Sequence, residues 1–320
     1  MPRNRYPQPS IPPIANITSL ASLLSVNVTD LLYIADNINL FYKPGKILQK
    51  KNGEHRYTHD AKRTLKLIHQ HIKNRILKKI EYPYFMLGGI SDPQNPRSCK
   101  AHAQIHCNKK ILINEDILDF YPTTSYELVK RVWKHQFNFS DTVAEILTKI
   151  TTYSGQLPQG WKTSSYIANL ALLPIEAHLV ELLENKGYSY SRFIDDITVS
   201  SPTFISPQEK KSIISNIYGM LFKCGYKPKR TKHEIVSNKE KMIVTSLNVN
   251  TETPTLSKQE RNNIRAMVYQ LEKLFSIQGN TQAYIQKWHS LYGKVNRLKS
   301  FHKKNGEQLQ ERMKLIKPLK

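Results

Sequence analysis

The sequence predicts an α+β fold, and three observations support this prediction. The chain has 320 residues, 39% of them hydrophobic, which is enough to bury the core of one large domain or of two or three tightly packed subdomains. Apolar residues recur at helical spacing in several segments, most clearly from Leu65 to Ile76. Shorter apolar runs, at 111–113 and 193–199, are typical of strands. A chain that mixes both patterns in this way is expected to be α+β.

The elements can be placed in order from periodicity and from the residues that begin and end each segment. Asn16 or Thr18 would cap the first of two short helices, and Pro83 ends a later one. Predicted helices lie at 17–40 (two helices with a break at 27–30), 61–80, 140–152, 164–185, 207–224 and from 257 onward. Predicted strands lie at 111–113, 193–199 and 242–249, with a hairpin at 42–57 and a loop at 84–108.

The charge balance indicates a polyanionic partner. Lys and Arg number 48 against 25 Asp and Glu, which gives a net charge of +23. A folded chain tolerates such self-repulsion most readily when a nucleic acid neutralises it. A membrane surface would also suit the charge, but no run of about 18 apolar residues is present, so we expect no membrane partner. Three cysteines, Cys99, Cys107 and Cys224, are too few for a disulfide framework, and we expect a cytoplasmic protein.

Basic residues concentrate in three segments. The predicted hairpin carries Asn52-Gly53 at its tip among basic residues, and the helix at 61–80 has seven Lys or Arg and no acid between positions 62 and 79. Residues 287–320 carry ten Lys or Arg against Glu307 and Glu311. The basic side chains of each segment either face solvent only or bind phosphates, and in a chain this basic we favour phosphate binding.

Acids inside apolar strands are the anomaly in so basic a chain. Asp116 ends the apolar run that starts at Ile111, and Asp195-Asp196 interrupts the run 193–199, as if two strands met at a tight turn. An Asp pair alone could be an ordinary hairpin turn. Three carboxylates that converge would repel each other and raise each other's pKa unless a cation lies between them. Mg²⁺ suits such oxygen donors, and two ions could activate a 3′-hydroxyl and stabilise a leaving pyrophosphate.

At this point the sequence resembles a known family. Five segments follow, in order, the palm motifs of reverse transcriptases, and are most similar to those of bacterial retron-type enzymes: 114–124, 157–170, 193–199, 225–235 and 244–249. The resemblance runs from about Lys51 to the C-terminus. It implies that Asp116, Asp195 and Asp196 bind two Mg²⁺ ions. The family's usual Tyr-Ala-Asp-Asp is Phe193-Ile194-Asp195-Asp196 here, so both acids are kept while the residues before them differ.

The resemblance also implies roles around the nucleotide. Tyr121 matches the residue that excludes a 2′-hydroxyl, with core packing as its alternative, and Asp119 matches an acid beside the triphosphate. Gln159 and Gly160 belong to a Leu-Pro-Gln-Gly turn that contacts the nucleotide and template, although Trp161 and Ser165-Tyr166 depart from the usual continuation. Arg56 resembles the fingers residue that holds the triphosphate.

Three further expectations concern basic and imidazole side chains. Lys232 matches a lysine that protonates leaving pyrophosphate, with a generic phosphate patch as the alternative. His106 belongs to a segment similar to the retron Asn-Ala-x-x-His motif, with His102 in place of Asn, and is expected to bind RNA. A zinc site at Cys99, His102, His106 and Cys107 is the rival interpretation, although the spacing is not that of a common zinc finger. Lys299, Lys303 and Lys304 are expected to contact RNA phosphates.

These expectations combine into a right-hand polymerase. The predicted parts are an N-terminal helical segment (1–45), fingers (46–107), a palm (108–250) and a basic helical thumb (251–320) that binds RNA. The resemblance implies an enzyme that copies part of a structured noncoding RNA, using dNTPs, into RNA-linked single-stranded DNA, and that acts with an effector or toxin protein against phage. Two alternatives stay open: a defence reverse transcriptase outside the retrons, and a catalytically weak polymerase fold that serves as an RNA-binding scaffold or antitoxin.

Overall fold

The computed structural model describes residues 4–49, 53, 55–279 and 281–318. Its helices are α1 (Ile17–Leu24), α2 (Val28–Asp36), α3 (Ile38–Phe41), α4 (Arg63–Arg75), α5 (Cys99–Ile105), α6 (Phe120–Thr123), α7 (Tyr126–Arg131), α8 (Asp141–Thr151), α9 (Ser164–Ala171), α10 (Ile175–Asn185), α11 (Pro207–Lys223), α12 (Lys258–Gln278), α13 (Gln282–Phe301) and α14 (Lys303–Leu315). Its strands are β1 (Gln8–Pro9), β2 (Tyr42–Gln49), β3 (His55–Ala61), β4 (Ile80–Glu81), β5 (Ile111–Asp116), β6 (Ser189–Phe193), β7 (Asp196–Ser201), β8 (Glu234–Ser237), β9 (Ile243–Val244) and β10 (Leu247–Asn248). This mixture confirms the predicted α+β class.

A four-stranded antiparallel sheet in the order β6-β7-β5-β8 forms the centre of the palm. β5 lies inside the sheet because its apolar side chains, Ile111 to Ile113, are buried on both faces. α5 and α10 pack against β6, while α11 packs against α10. The sheet is thus covered by helices, and the ends of β5 and β7 stay open at one edge.

The predicted basic hairpin is formed by β2 and β3, which pair in antiparallel register from Tyr42 with Ala61 to Gln49 with His55. Its predicted tip lies outside the described residues except for Gly53, which has φ +84° as a turn glycine requires. α4 follows directly and buries Leu65, Ile68 and Ile72 against the N-terminal helices. Its basic residues therefore face outward, as the sequence predicts.

Several predicted elements differ in the structure. The predicted loop at 84–108 contains α5, which begins after Ser98, a residue that caps it through the N–H of Ala101. The single helix predicted at 164–185 is split into α9 and α10, because Pro174 cannot continue a helix. The strand predicted at 242–249 is a tight hairpin, β9 and β10.

Helices α12 to α14 form the C-terminal helical unit predicted as the thumb. They share a second hydrophobic cluster with the predicted palm. Val295 and Leu298 of α13 belong to this cluster together with Leu112 of β5 and Val244 of β9. α5, which falls in the predicted fingers segment, contributes Ala103 to this same cluster. The predicted boundaries of the four parts stay predictions.

No single helix in the described ranges is long and apolar enough to cross a membrane, while two bent helix pairs, α1 with α2 and α9 with α10, pass on length and composition alone.

Candidate active site

Two antiparallel strands bring the predicted acids together. Asp116 is the last residue of β5, and it lies directly opposite Asp196, the first residue of β7. Asp195 belongs to the turn between β6 and β7, and its carbonyl accepts a hydrogen bond of 3.0 Å from the N–H of Ile117. The predicted tight turn with two acids is therefore confirmed, and all three acids are adjacent at the open edge of the sheet.

The backbone of this turn is strained. Ile194 has φ +62°, in the left-handed region where a β-branched residue is a rare outlier. The turn also packs closely on a glycine: a Cβ on Gly88 would lie 2.6 Å from the backbone nitrogen of Ile194. Strain of this kind persists only where the surrounding structure holds it, and it concentrates at functional sites.

The acids repel each other, and one lysine offsets that repulsion. Asp116 is only 3% exposed. Burial and the charge of Asp116 raise the pKa of Asp195, while burial in the cleft and the charge of Asp195 raise the pKa of Asp196 to about 7. Lys232 forms an ion pair with Asp116, and its Nζ lies 3.9 Å from Asp196 Oδ1. Burial opposes its charge, but the hydrogen bond to Asp116 prevails and raises the pKa of Lys232.

The donor set fits a hard divalent cation of the Mg²⁺ type. Mg²⁺ in phosphate-handling sites is bound by one or two carboxylates, with waters and substrate phosphates as its other ligands. Asp116 and Asp196 face each other and supply those carboxylates, and Asp195 is next to them. Within the described ranges no group of three or more His, Cys, Asp or Glu converges to hold an ion alone. The site therefore fits a cation completed by substrate, and the predicted number of ions stays a prediction.

A cavity of about 580 Å³ lies on the fingers side of the acids. Its lining includes most of the residues predicted to handle the nucleotide: Arg56, Asp119, Tyr121, Gln159, Asp195 and Lys232. Arg56, Lys229 and Lys232 supply positive charge in this lining, which suits an anionic ligand such as a triphosphate. Sequence positions more than 170 residues apart are thus brought into one pocket.

Gly160 joins the fingers to the palm. It has φ +116°, and a Cβ at this position would lie 2.6 Å from the carbonyl oxygen of His59. The N–H of His59 donates to the carbonyl of Gln159 at 2.7 Å. β3, which carries Arg56, is therefore fixed against the Leu157–Gly160 turn, and only glycine permits so close an approach.

Tyr121 and Asp119 form the floor of the cavity. Tyr121 is half-buried against the ring of Phe120, with ring centroids 5.9 Å apart. Burial and the charge of Asp195 raise its pKa to about 12, so the hydroxyl stays neutral. Asp119 directly precedes α6 with φ +45°, a conformation that Asp tolerates, and its side chain makes no capping hydrogen bond to this helix. Both residues line the cavity, and their roles at the nucleotide stay predictions.

A second cavity of about 510 Å³ is also lined by Asp116, here together with Asp196. Its lining includes a pair that the sequence did not indicate: Nδ1 of His233, an exposed residue, lies 2.6 Å from the carboxylate of Glu115, which is buried. Thr245 and Ser246, both with positive φ, form its rim. Asp116 thus lines both cavities.

His106 is fully buried, which contradicts the predicted contact with RNA. Its Nδ1 and Nε2 lie 2.7 and 2.8 Å from the hydroxyls of Ser200 and Ser191, so the ring links β7 to β6. Burial lowers its pKa well below the usual range. His102 stacks on Phe193 with ring centroids 5.9 Å apart and supports the catalytic turn from below.

The rival zinc site is not supported. Cys107 Sγ lies 3.5 Å from the carbonyl of Ala103, and burial raises the pKa of its thiol to about 11, which disfavours a thiolate ligand. No metal-holding cluster is found at this place within the described chain.

The predicted RNA contacts in the thumb divide into two kinds. Lys303 and Lys304 are exposed at the start of α14. Lys299 instead donates to Gln310 Oε1 at 2.9 Å and lies 3.8 Å from Glu307. We therefore expect phosphate contacts mainly from Lys303 and Lys304, because the amine of Lys299 already has protein partners, and all three contacts stay predictions.

Arg192 is the main residue that the sequence analysis missed. It is 0% exposed and forms an ion pair with Glu176, which is also 0% exposed. The available signal was a charged residue inside a strand pattern, directly before Phe193.

Comparison with known proteins agrees with this geometry. The family model described as reverse transcriptase (RNA-dependent DNA polymerase) matches residues 48–264. The retron Se72 reverse transcriptase of Salmonella heidelberg (strain 579083-10) is 34% identical over 286 residues, 88% of this chain and 74% of that protein. The retron Ec48 reverse transcriptase of Escherichia coli is 30% identical over 96% of this chain and 77% of its own length. The structure also aligns with telomerase from Candida albicans, solved in complex with a fragment of telomeric RNA, at a TM-score of 0.48 and 9% identity over 86% of this chain and 63% of that one.

Proposed function

This chain belongs to the reverse transcriptase family, with the retron enzymes as its relatives, and on that premise we propose that it copies part of a structured noncoding RNA into single-stranded DNA that stays joined to the RNA. It is an RNA-directed DNA polymerase. The observation that carries the proposal is the edge of the sheet where Asp116 meets Asp195 and Asp196 between two open cavities.

The residues have distinct tasks in this reaction. Bound Mg²⁺ would lower the pKa of the primer hydroxyl and neutralise charge on the triphosphate. Asp116 and Asp196 would hold it, and Asp195 would complete the negative site. Lys232, whose pKa is raised, keeps its proton at neutral pH and would donate it to the leaving pyrophosphate. Arg56 would bind the triphosphate from the fingers side, and Tyr121 would bound the sugar.

Separate groups would perform chemistry and RNA binding. The acids lie at the sheet edge, whereas Lys303 and Lys304, which are predicted to bind RNA, are exposed on α14. Neutralising phosphates with lysine depends on charge and not on the metal site. A variant without catalytic acids should therefore still bind RNA.

The decisive experiment is to identify the nucleic acid that copurifies with the protein expressed with its neighbouring genomic sequence. We expect a defined RNA that carries a short DNA. DNase should shorten this molecule by removing the DNA, and RNase should leave the DNA joined to a residual branched ribonucleotide. Asp195→Asn with Asp196→Asn should abolish the DNA while the RNA still copurifies within a few-fold of its usual amount. DNA synthesis by this double variant would contradict the polymerase site, and an RNA without attached DNA in the unmodified protein would contradict the retron product.

We further propose, from the family resemblance, that the product acts in the cytoplasm with an effector or toxin protein against phage. The three cysteines are free, as expected in a reducing compartment. Phage plating on cells that carry the full genomic segment should be reduced, and Asp195→Asn with Asp196→Asn should restore it. Equal plating in both cases would contradict the defence role.

A further inference from the structure

Arg192 lies directly beneath the turn that carries Asp195. Its guanidinium donates to both carboxylate oxygens of Glu176, at 2.5 and 2.7 Å, and to the side chain and backbone carbonyls of Asn169, at 3.0 and 3.1 Å. The remaining bond, from Nη1, reaches the carbonyl of Ile194 at 2.8 Å. All five N–H groups of the guanidinium thus donate hydrogen bonds, and one of them binds the turn at Ile194 and Asp195.

A buried ion pair is weak evidence for stability, because desolvation of the two charges offsets their attraction. Arg192 and Glu176 are both 0% exposed, so stability alone does not account for an ion pair at this place. The reason that the contacts supply is the strained residue Ile194, whose φ of +62° is disfavoured for a β-branched side chain.

The turn is held at both of its carbonyls. Arg192 binds the carbonyl of Ile194, and the N–H of Ile117 binds that of Asp195. Asn169, which contacts the guanidinium, also donates from Nδ2 to the carbonyl of Gly88 at 2.9 Å, and Gly88 packs against the backbone of Ile194. The same buried unit therefore fixes the turn from below and from the side.

We propose that Arg192 is a positioning residue for DNA synthesis: by binding the carbonyl of Ile194 it holds this residue in the left-handed conformation and so aims Asp195 at Asp116. Glu176 and Asn169 orient the guanidinium. The inference rests on the proposed role of Asp195 in catalysis. The buried pair Arg192–Glu176 would therefore position Asp195 for the reaction, which an ion pair that only stabilises the fold would not do.

Arg192→Lys is the main test, because lysine keeps the charge beside Glu176 but lacks the planar fork that reaches three partners at once. Tyr190→Phe is the matched control. Tyr190 is buried in the same network and donates to Glu176 Oε1 at 2.8 Å, but within the described residues its hydroxyl makes no hydrogen bond to Ile194 or Asp195. Glu176→Asp shortens the side chain that holds the guanidinium of Arg192 by one methylene. This variant replaces Arg192→Lys in the test if Arg192→Lys fails to fold.

Three measurements separate positioning from stability. In Arg192→Lys, amide hydrogen exchange of residues 193–196 should be about five-fold faster or more, as expected when a local contact is lost. Binding of Mn²⁺ to the protein with a non-extendable primer and template, followed by EPR, should weaken by about five-fold. The kcat should fall by about ten-fold or more while the KM for dNTP stays within about three-fold, because the loss is in the chemical step. Tyr190→Phe should leave all three within about two-fold even if it lowers the melting temperature.

A rescue experiment addresses the strain directly. Glycine adopts φ near +60° without cost, so in an Ile194→Gly background the loss in kcat caused by Arg192→Lys should shrink to about three-fold or less. Equal losses in both backgrounds, or an effect on the melting temperature with unchanged exchange and Mn²⁺ binding, would overturn the proposal. Asp195→Asn in the unmodified background distinguishes a failure of the proposed function from a failure of the proposal for Arg192. If Asp195→Asn still incorporates dNTP, the proposed function is wrong. If it does not, only the proposed role of Arg192 is wrong.

Discussion

At the scale of single residues, Tyr121 determines the shape of the nucleotide cavity. Its ring is half-buried against Phe120 and forms part of the cavity that also contains Arg56 and Asp195. In the proposed role, the ring would exclude a 2′-hydroxyl by contact and not by hydrogen bonding, so the hydroxyl group of Tyr121 would not be needed for the selection.

Tyr121→Ala should therefore admit ribonucleotides, with the preference for dNTP over rNTP reduced by roughly ten- to hundred-fold. Tyr121→Phe keeps the ring and should keep the preference. Steady-state incorporation of dGTP and GTP on one primer and template measures both variants. An unchanged preference in Tyr121→Ala would assign the residue to core packing.

A second residue-scale consequence concerns buried histidines and acid stability. His69 is 1% exposed, its Nε2 lies 2.7 Å from the carbonyl of Ile150, and burial lowers its pKa to about 4. Burial likewise lowers the pKa of His102 to about 4. Both are neutral in the folded state but gain a proton in the unfolded state once the pH falls below about 6.5.

Folding stability should therefore be full above about pH 6.5 and decrease between pH 6.5 and 4, by up to about 1.4 kcal/mol per pH unit for each such histidine. His69→Gln, which can still donate to Ile150, should make this decrease shallower by about that amount. Urea unfolding midpoints from pH 4.5 to 7.5 provide the measurement. The same pH dependence in His69→Gln and in the unmodified protein would exclude His69 as a source.

At the scale of elements, the contact between β3 and the Leu157–Gly160 turn decides where Arg56 lies. Gly160→Ala would place a Cβ 2.6 Å from the carbonyl of His59 and should separate the hairpin from the palm. We expect the KM for dNTP to rise by roughly ten-fold, with a stability loss of about 1–3 kcal/mol from the positive φ.

Gly155→Ala is the matched control for this prediction. Gly155 also has positive φ, +75°, but a Cβ there would meet nothing within 4 Å. It should lose stability in the same way and leave the KM for dNTP nearly unchanged. Equal KM values for the two variants would show that the close approach at Gly160 does not position Arg56.

At the scale of the whole molecule, the net charge of +23 is unevenly distributed along the chain: residues 62–79 carry seven Lys or Arg and no acid, and residues 287–320 carry ten Lys or Arg against two Glu. This arrangement lets phosphates be neutralised along an extended path while the reaction centre stays negative enough for a cation. Binding through such surfaces releases counterions, so RNA affinity should fall steeply with salt.

Lys303→Gln with Lys304→Gln removes two exposed charges from the start of α14. If both contact phosphate, the slope of log K against log salt should decrease in magnitude by about 1.4–1.8, since each contact contributes about 0.7–0.9. Lys299→Gln is the control and should change the slope little, because Lys299 is engaged by Gln310 and Glu307. Filter binding from 50 to 300 mM salt would test both, and an unchanged slope in the double variant would make this surface a solvated face.

Much of this protein could be predicted from the sequence because some signals are local. The acids Asp116 and Asp195-Asp196 stand out within apolar strands, and the Leu157–Gly160 turn has a recognisable order of residues. The class of fold, the polymerase family and the acid pair at a turn follow from such signals. Hairpin and helix patterns likewise depend on neighbours a few residues away.

Only the tertiary structure decided which side chains support those acids. His106 was expected at RNA but is fully buried between Ser191 and Ser200, because its motif helix packs against the sheet. Arg192 gave no signal beyond its charge, since its partner Glu176 is 16 residues away and on another element. Burial and pairing depend on which distant segments meet, and periodicity within one segment carries no information about that.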